Sequence, residues 1–152
     1  MGAVAEGCMA EGGLVTGIIP EFLISMEASR AELSTLDELI ATRDMHERKH
    51  AMFDRADAFV AMPGGIGTLE ELVEVMTWAQ LGRHEKPIVI ADVEGFWAPL
   101  LSLLDHMRDE GFIHTNHRVR PQVMTDVEAI VPMLLATAPA DAEGEQEIIA
   151  RM

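Results

Sequence analysis

Cysteine, aromatic side chains and basic residues are all scarce in this chain of 152 residues. The single cysteine, Cys8, excludes an internal disulfide scaffold and favours a reducing compartment, so we expect a cytoplasmic protein. Lysine and arginine number 11 against 26 acidic residues, and the resulting net charge of −15 excludes a general affinity for nucleic acid or anionic membranes. No apolar run approaches the roughly 18 residues that span a bilayer, and the first residues lack the pattern of a signal peptide.

The composition is that of a folded domain with an aliphatic core. Hydrophobic residues make up 49% of the chain and aromatic residues only 5%, while 11 methionines are available to fill gaps in the core. We expect one domain over residues 1–137. Residues 138–152 are small, acidic and without periodicity, which predicts a mobile acidic tail.

Short apolar segments alternate with helical ones along the domain. The predicted strands are 14–19, 39–42, 58–62, 88–91 and 119–124, all brief and almost wholly apolar. The predicted helices are 3–11, ending at Gly12 and Gly13, then 45–56, 68–81, 97–109 and 126–136. Residues 20–36 are predicted to be a loop with a helical turn. This alternation predicts an α/β fold, a parallel sheet with helices on both faces, which binds ligands beyond the carboxyl ends of its strands.

The most informative segment joins the predicted strand 58–62 to the helix that follows it. Gly64, Gly65 and Gly67 lie within four residues, directly before or at the helix start. Glycines let backbone N–H groups converge on a ligand, and a helix start adds further donors and a positive dipole end. A phosphate suits this geometry, although a tight turn without a ligand has the same sequence, and no Walker lysine follows.

Glu71 permits two interpretations. Thr68 and Glu71 fit the capping-box pattern, in which Glu71 would only satisfy the start of the helix. Alternatively, Glu71 is a carboxylate held one turn from a bound phosphate ester. The two interpretations differ in whether Glu71 is available for chemistry.

The helix 45–56 opens with the H-E-x-x-H pattern of zinc proteases, from His46 to His50. Arg48 and Lys49 would lie beside the metal, and no third ligand stands in a recognisable context, so we expect no metal site. The same two cations follow a predicted strand in a chain with few basic residues. That placement favours anion binding by Arg48 and Lys49, with a solvated helix face as the alternative.

Two segments together resemble the signature of a known family. Residues 45–49 (MHERK) and 63–71 (PGGIGTLEE) are similar to the paired motifs of the LOG (LONELY GUY) family of cytokinin riboside 5′-monophosphate phosphoribohydrolases, often labelled lysine decarboxylases. The likeness continues through residues 77–82, 86–87, 95–97 and 110–113, to about residue 135. Two motifs at this separation are far more specific than a glycine-rich loop alone.

The resemblance implies a Rossmann-like fold, a homodimer, and no metal or organic cofactor. It implies hydrolysis of the N-glycosidic bond of a purine or cytokinin nucleoside 5′-monophosphate to free base and ribose 5-phosphate, with the base preference left open. The family's catalytic pair matches Arg48 and Glu71. Its substrate-binding positions match Glu27, Lys49, Gly64, Gly65, Ile66, Gly67, Thr68, Glu70 and Thr77.

Two expectations qualify this assignment. In the family, a strand–helix–strand with its own glycine-rich turns precedes the segment that matches residues 1–5, so we expect the Rossmann-like domain to be truncated at its N-terminus. The second is an alternative function on the same fold, a non-catalytic carrier of a nucleotide or phosphorylated cofactor, which resembles the molybdenum-cofactor carrier proteins. The pairing of Arg48 with Glu71 favours the enzyme.

Overall fold

The computed structural model describes residues 2–27, 33–113 and 121–137, and the side chains of residues 25–27 are not among them. The chain divides into two compact units, an N-terminal unit of residues 1–56 and a C-terminal unit of residues 57–152. Parallel strands alternate with helices in both, which confirms the predicted α/β, Rossmann-like class. Among the described residues no helix is both long and apolar enough to cross a membrane. The predicted acidic tail lies outside the described ranges.

The N-terminal unit contains a two-stranded parallel sheet. Strands β1 (Thr16–Pro20) and β2 (Glu38–Thr42) pair in register, with Thr16 opposite Glu38 and Pro20 opposite Thr42. Helix α1 (Gly2–Ala10) precedes them, and helices α2 (Glu21–Glu27) and α3 (Met45–Arg55) pack against β1. Because α3 follows β2 after only two residues, its first turn starts at the carboxyl end of this sheet.

The C-terminal unit contains a three-stranded parallel sheet in the order β3 (Phe59–Ala61), β4 (Ile88–Ala91), β5 (Gln122–Met124). Its helices are α4 (Ile66–Gln80), α5 (Ala98–Asp109) and α6 (Ile130–Thr137). Every residue of β4 is buried, because Ile88 and Ile90 pack with Leu72 and Trp97 on one face while Val89 and Ala91 pack with Ile130 on the other. This sheet therefore has helices on both faces, as predicted.

Four predicted segments differ from the structure. Helix α2 has seven residues and is longer than the helical turn predicted within the loop 20–36. Helix α4 begins at Ile66 rather than at Thr68. The last helix begins at Ile130 instead of 126, because Asp126 accepts the Glu128 N–H in a turn (3.1 Å) and Pro132 is tolerated only near a helix start. The last strand is described from Gln122, and residues 119–120 of the prediction lie outside the described ranges. The remaining boundaries agree to within about two residues.

The predicted end of the first helix is confirmed in detail. Gly12 has φ +79°, a left-handed conformation that favours glycine. Its N–H donates to the Met9 carbonyl at 3.0 Å, and the Gly13 N–H donates to the Cys8 carbonyl at 2.9 Å. The Cys8 thiol is exposed and is not in a disulfide.

Candidate active site

The glycine loop joins β3 to α4 at the carboxyl end of the three-stranded sheet. β3 ends at Ala61, Gly65 is the N-cap of α4, and the Leu69 N–H makes the first intrahelical bond, to the Gly65 carbonyl at 3.1 Å. Because the N-cap residue is a glycine, it has no side chain with which to cap the helix start. The first N–H groups of α4 are thus placed to donate to a bound anion, and the dipole of this 15-residue helix has its positive end there.

The three glycines of the loop have different surroundings. A Cβ at Gly64 would lie 2.8 Å from the Cβ of Thr68, so a larger residue at that position would force the Thr68 side chain to shift. Outside the adjacent residues and the backbone of α4, no atom of the described residues would lie within 4 Å of a Cβ at Gly65 or Gly67. Only Gly64 is therefore required by packing within the chain, whereas Gly65 and Gly67 leave an open approach to the backbone at the helix start.

We expect Gly64→Ala to lower the free energy of unfolding by about 1–3 kcal/mol, because the added methyl group must displace the β-branched Thr68 side chain on the rigid first turn of α4. Urea denaturation measures this change. Gly67→Ala is the matched control, because its added methyl group enters open space. Equal stability of the Gly64→Ala variant and the wild type would contradict the packing argument.

Glu71 is not the partner in a capping box. Since α4 begins at Ile66 after the N-cap Gly65, Thr68 is the third residue of the helix and Glu71 lies in its second turn. The capping interpretation of Glu71 is therefore wrong, and glycine in the N-cap position is the reason. Glu71 is half-buried and has contacts of its own within the chain.

Arg48 lies on α3 of the N-terminal unit and is buried, with only 6% of its surface exposed. Its Nη1 lies 4.0 Å from the Met45 sulfur, and Lys49 beside it is half-buried. Burial of a guanidinium is costly unless its charge is compensated, because the charged group loses its hydration. Arg48 is thus held in one place by its surroundings, whereas a solvated helix face would leave it exposed.

Asp44 caps the start of α3, and this role of Asp44 was not predicted from the sequence. Its carboxylate accepts the Glu47 N–H at 2.8 Å, and this hydrogen bond holds the pKa of the Asp44 carboxyl below its usual value. The stabilisation by the cap is therefore fully present above the ordinary value of 3.8 and is lost as the pH falls through the lowered value. The position of Arg48 on the second turn follows from this cap.

The H-E-x-x-H segment does not have the contacts of a protease site. Glu47 accepts the backbone N–H of Arg43 at 2.7 Å and its Nε at 3.1 Å, and the backbone bond is the main cause that lowers the pKa of Glu47. Among residues 2–27, 33–113 and 121–137 no group of three or more His, Cys, Asp or Glu could hold a metal ion. Glu47 thus serves as an ion-pair partner on the surface of α3.

The remaining predicted site residues are distributed as follows. In the C-terminal unit the glycine loop and helix α4 lie together. Ile66 and Glu70 are exposed in the first turns of this helix. The Thr77 hydroxyl, two turns further on, donates to the Val73 carbonyl at 2.7 Å and so can only accept from a ligand. By contrast, Arg48 and Lys49 belong to the N-terminal unit, on α3. The side chain of Glu27 lies outside the described part of the structure.

Asp92 is a buried carboxylate at the same sheet edge that sequence analysis missed. It follows β4 directly, so it shares the carboxyl edge of the sheet with the loop after the neighbouring strand β3. Its N–H donates to the Met124 carbonyl at 2.8 Å, and its Oδ1 accepts the Trp97 N–H at 2.7 Å at the start of α5. An acidic residue immediately after a fully apolar strand is the signal that could have identified it.

The chain is similar to a known family over most of its length. A family model described as "Possible lysine decarboxylase" matches residues 1–134. The chain is 48% identical over 118 residues to the cytokinin riboside 5′-monophosphate phosphoribohydrolase LOG4 of Arabidopsis thaliana, covering 78% of this chain and 54% of that protein. It is 43% identical over 132 residues to the cytokinin riboside 5′-monophosphate phosphoribohydrolase of Rhodococcoides fascians, covering 86% of this chain and 65% of that protein. The chain thus spans about half to two thirds of the length of these relatives.

Proposed function

Because the chain belongs to the LOG family, we propose that it hydrolyses the N-glycosidic bond of a purine or cytokinin nucleoside 5′-monophosphate. The products are the free base and ribose 5-phosphate. The family model that matches the chain is described as "Possible lysine decarboxylase". The observation that carries the proposal is the glycine N-cap of α4 in the glycine loop, with open space over Gly65 and Gly67. The chain spans about half to two thirds of the length of the relatives named above.

The 5′-phosphate binds to the glycine loop. The backbone N–H groups at the start of α4 donate to the phosphate oxygens, and the helix dipole favours the negative charge. Since the net charge of the chain is −15, a local set of donors is needed to hold a nucleotide dianion against the overall field. The proposed substrate-binding residues are Glu27, Lys49, Gly64, Gly65, Ile66, Gly67, Thr68, Glu70 and Thr77.

The proposal assigns catalysis to Arg48 and Glu71. Cleavage of an N-glycosidic bond develops positive charge at C1′ of the ribose, as in glycoside hydrolysis. A carboxylate such as Glu71 stabilises that charge or takes a proton from the attacking water. The guanidinium of Arg48 binds phosphate oxygens in a bidentate manner, so that binding energy remote from the reaction orients the sugar.

The assembly and location of the protein are also proposals. We propose a homodimer, which is supported by large apolar side chains on the surface of α4 and directly after it, namely Ile66, Val73 and Leu81. A cytoplasmic location is supported by the single cysteine, whose thiol is exposed and not in a disulfide.

We expect the purified protein to release adenine from AMP, or free cytokinin from its riboside monophosphate, and to leave the unphosphorylated ribosides intact. The physical reason is that the phosphate supplies the binding energy that orients C1′. Chromatography of the released base, with AMP and adenosine at matched concentrations, measures the ratio of the two kcat/KM values. Equal turnover of both substrates would refute the phosphate anchor, and binding of AMP without base release would favour the carrier function instead.

A further inference from the structure

Two histidines of α3 lie side by side on its exposed face. His46 and His50 are four residues apart, both are exposed, and their ring centroids lie 4.5 Å from each other at an interplanar angle of 82°. Residues four apart on a helix lie on the same face, one turn above the other. The proposed hydrolysis uses neither imidazole, so this pair needs an explanation of its own.

The pair and Arg48 occupy different faces of the helix. At 3.6 residues per turn, Arg48 is rotated by about 200° from each histidine. The burial of Arg48 and the exposure of both imidazoles agree with this geometry. A ligand on the two histidines therefore approaches α3 from solvent. Arg48 does not lie beside it, contrary to one of the two reasons for which the sequence predicted no metal site.

We propose that His46 and His50 chelate one borderline divalent transition cation, of the class of Ni²⁺, Zn²⁺ and Cu²⁺, across one turn of α3. Imidazole nitrogens are preferred ligands of these ions, whereas Mg²⁺ and Ca²⁺ prefer oxygen donors. Two donors one helical turn apart can both reach a cation at a metal–nitrogen distance of about 2.0–2.1 Å after a small rotation of the rings. Water completes the coordination, because no larger group of metal-binding side chains exists among the described residues.

The charges around the pair permit a cation. Lys49 opposes it, and the charge of Arg43 is partly balanced by its ion pair with Glu47 at 3.1 Å. Asp44 at the start of the helix attracts it, and so does the net charge of −15. A protease site would also need Glu47 as a general base, and the contacts with Arg43 oppose that role. The pair is therefore a binding site without a part in hydrolysis.

Calorimetric titration of the folded protein with Ni²⁺, in the presence of excess Mg²⁺ to occupy carboxylates, tests the proposal. We expect one Ni²⁺ per chain, and we expect His46→Gln and His50→Gln each to weaken its binding about tenfold or more, because each removes one of two ligands. Glutamine retains helix propensity, and circular dichroism checks that both variants fold. His106→Gln, which removes an exposed histidine of α5, is the matched control and leaves the affinity unchanged.

Thermal unfolding provides a second, independent measurement. A cation that bridges two turns of the folded helix raises the melting temperature, since the unfolded chain does not hold the two rings together. We expect Ni²⁺ to raise it in the wild type and in His106→Gln, and to raise it much less in either variant of the pair. The proposal is overturned if the wild type binds no Ni²⁺, or if both single variants keep the wild-type affinity.

Discussion

Glu71→Gln should reduce base release from AMP about a hundredfold or more while AMP binding stays the same or becomes slightly tighter. Glutamine has nearly the shape of glutamate but can neither take a proton from water nor neutralise the positive charge that develops at C1′. Loss of one negative charge near a bound phosphate does not weaken binding of the dianion. The measurements are kcat from base release and Kd for AMP from calorimetry.

Glu74→Gln is the matched control for this experiment. It removes the same charge from the same helix, one turn further on, and Glu74 is half-buried like Glu71. If loss of helix stability or of net charge caused the effect, both variants would lose activity alike. Full turnover in Glu71→Gln would contradict the catalytic role, and loss of both turnover and folding would show that the contacts of Glu71 within the chain are structural.

The strands and their parallel arrangement could be predicted because a strand that is buried on both faces is apolar at every position. Residues 88–91 are all apolar, and the structure buries every one of them between helices on opposite faces of the sheet. The start of α4 could not be predicted as well, because a glycine N-cap gives no side-chain signal and Thr68 imitates one. Thr68 instead packs over Gly64, a contact between residues four apart that the capping pattern does not reveal.

The candidate site was likewise predictable in part. The glycine loop was recognisable because its residues are consecutive and its chemistry depends on the backbone. The burial of Arg48 was not, because it depends on which face of α3 packs inward, and a charged residue is ordinarily expected at the surface. Asp92 was missed for a related reason. Its position after an apolar strand is visible in the sequence, but its burial and its hydrogen bond to the Trp97 N–H at the start of α5 are not.

The second large effect is expected for Gly67→Ala, which should increase stability and decrease activity. Gly67→Ala should raise the free energy of unfolding by up to about 1 kcal/mol, because alanine replaces glycine inside α4 and its methyl group meets nothing within 4 Å. The same methyl group projects into the space that the proposal gives to the phosphate. We therefore expect kcat/KM for AMP to fall between about tenfold and a hundredfold, since a small displacement of the phosphate misplaces C1′.

Gly7→Ala shows whether this separation is specific to the loop. Gly7 lies within α1, and a Cβ there also meets nothing within 4 Å, so the substitution should add helix stability with no change in kinetics. Urea denaturation and AMP kinetics on both variants give the comparison. A more stable Gly67→Ala enzyme with wild-type kcat/KM would exclude a close approach of the phosphate to this backbone and leave only a structural role for the loop. If Gly67→Ala is more stable than the wild type and yet has a lower kcat/KM for AMP, loss of folding cannot cause the lower activity. That result would locate the phosphate at the start of α4.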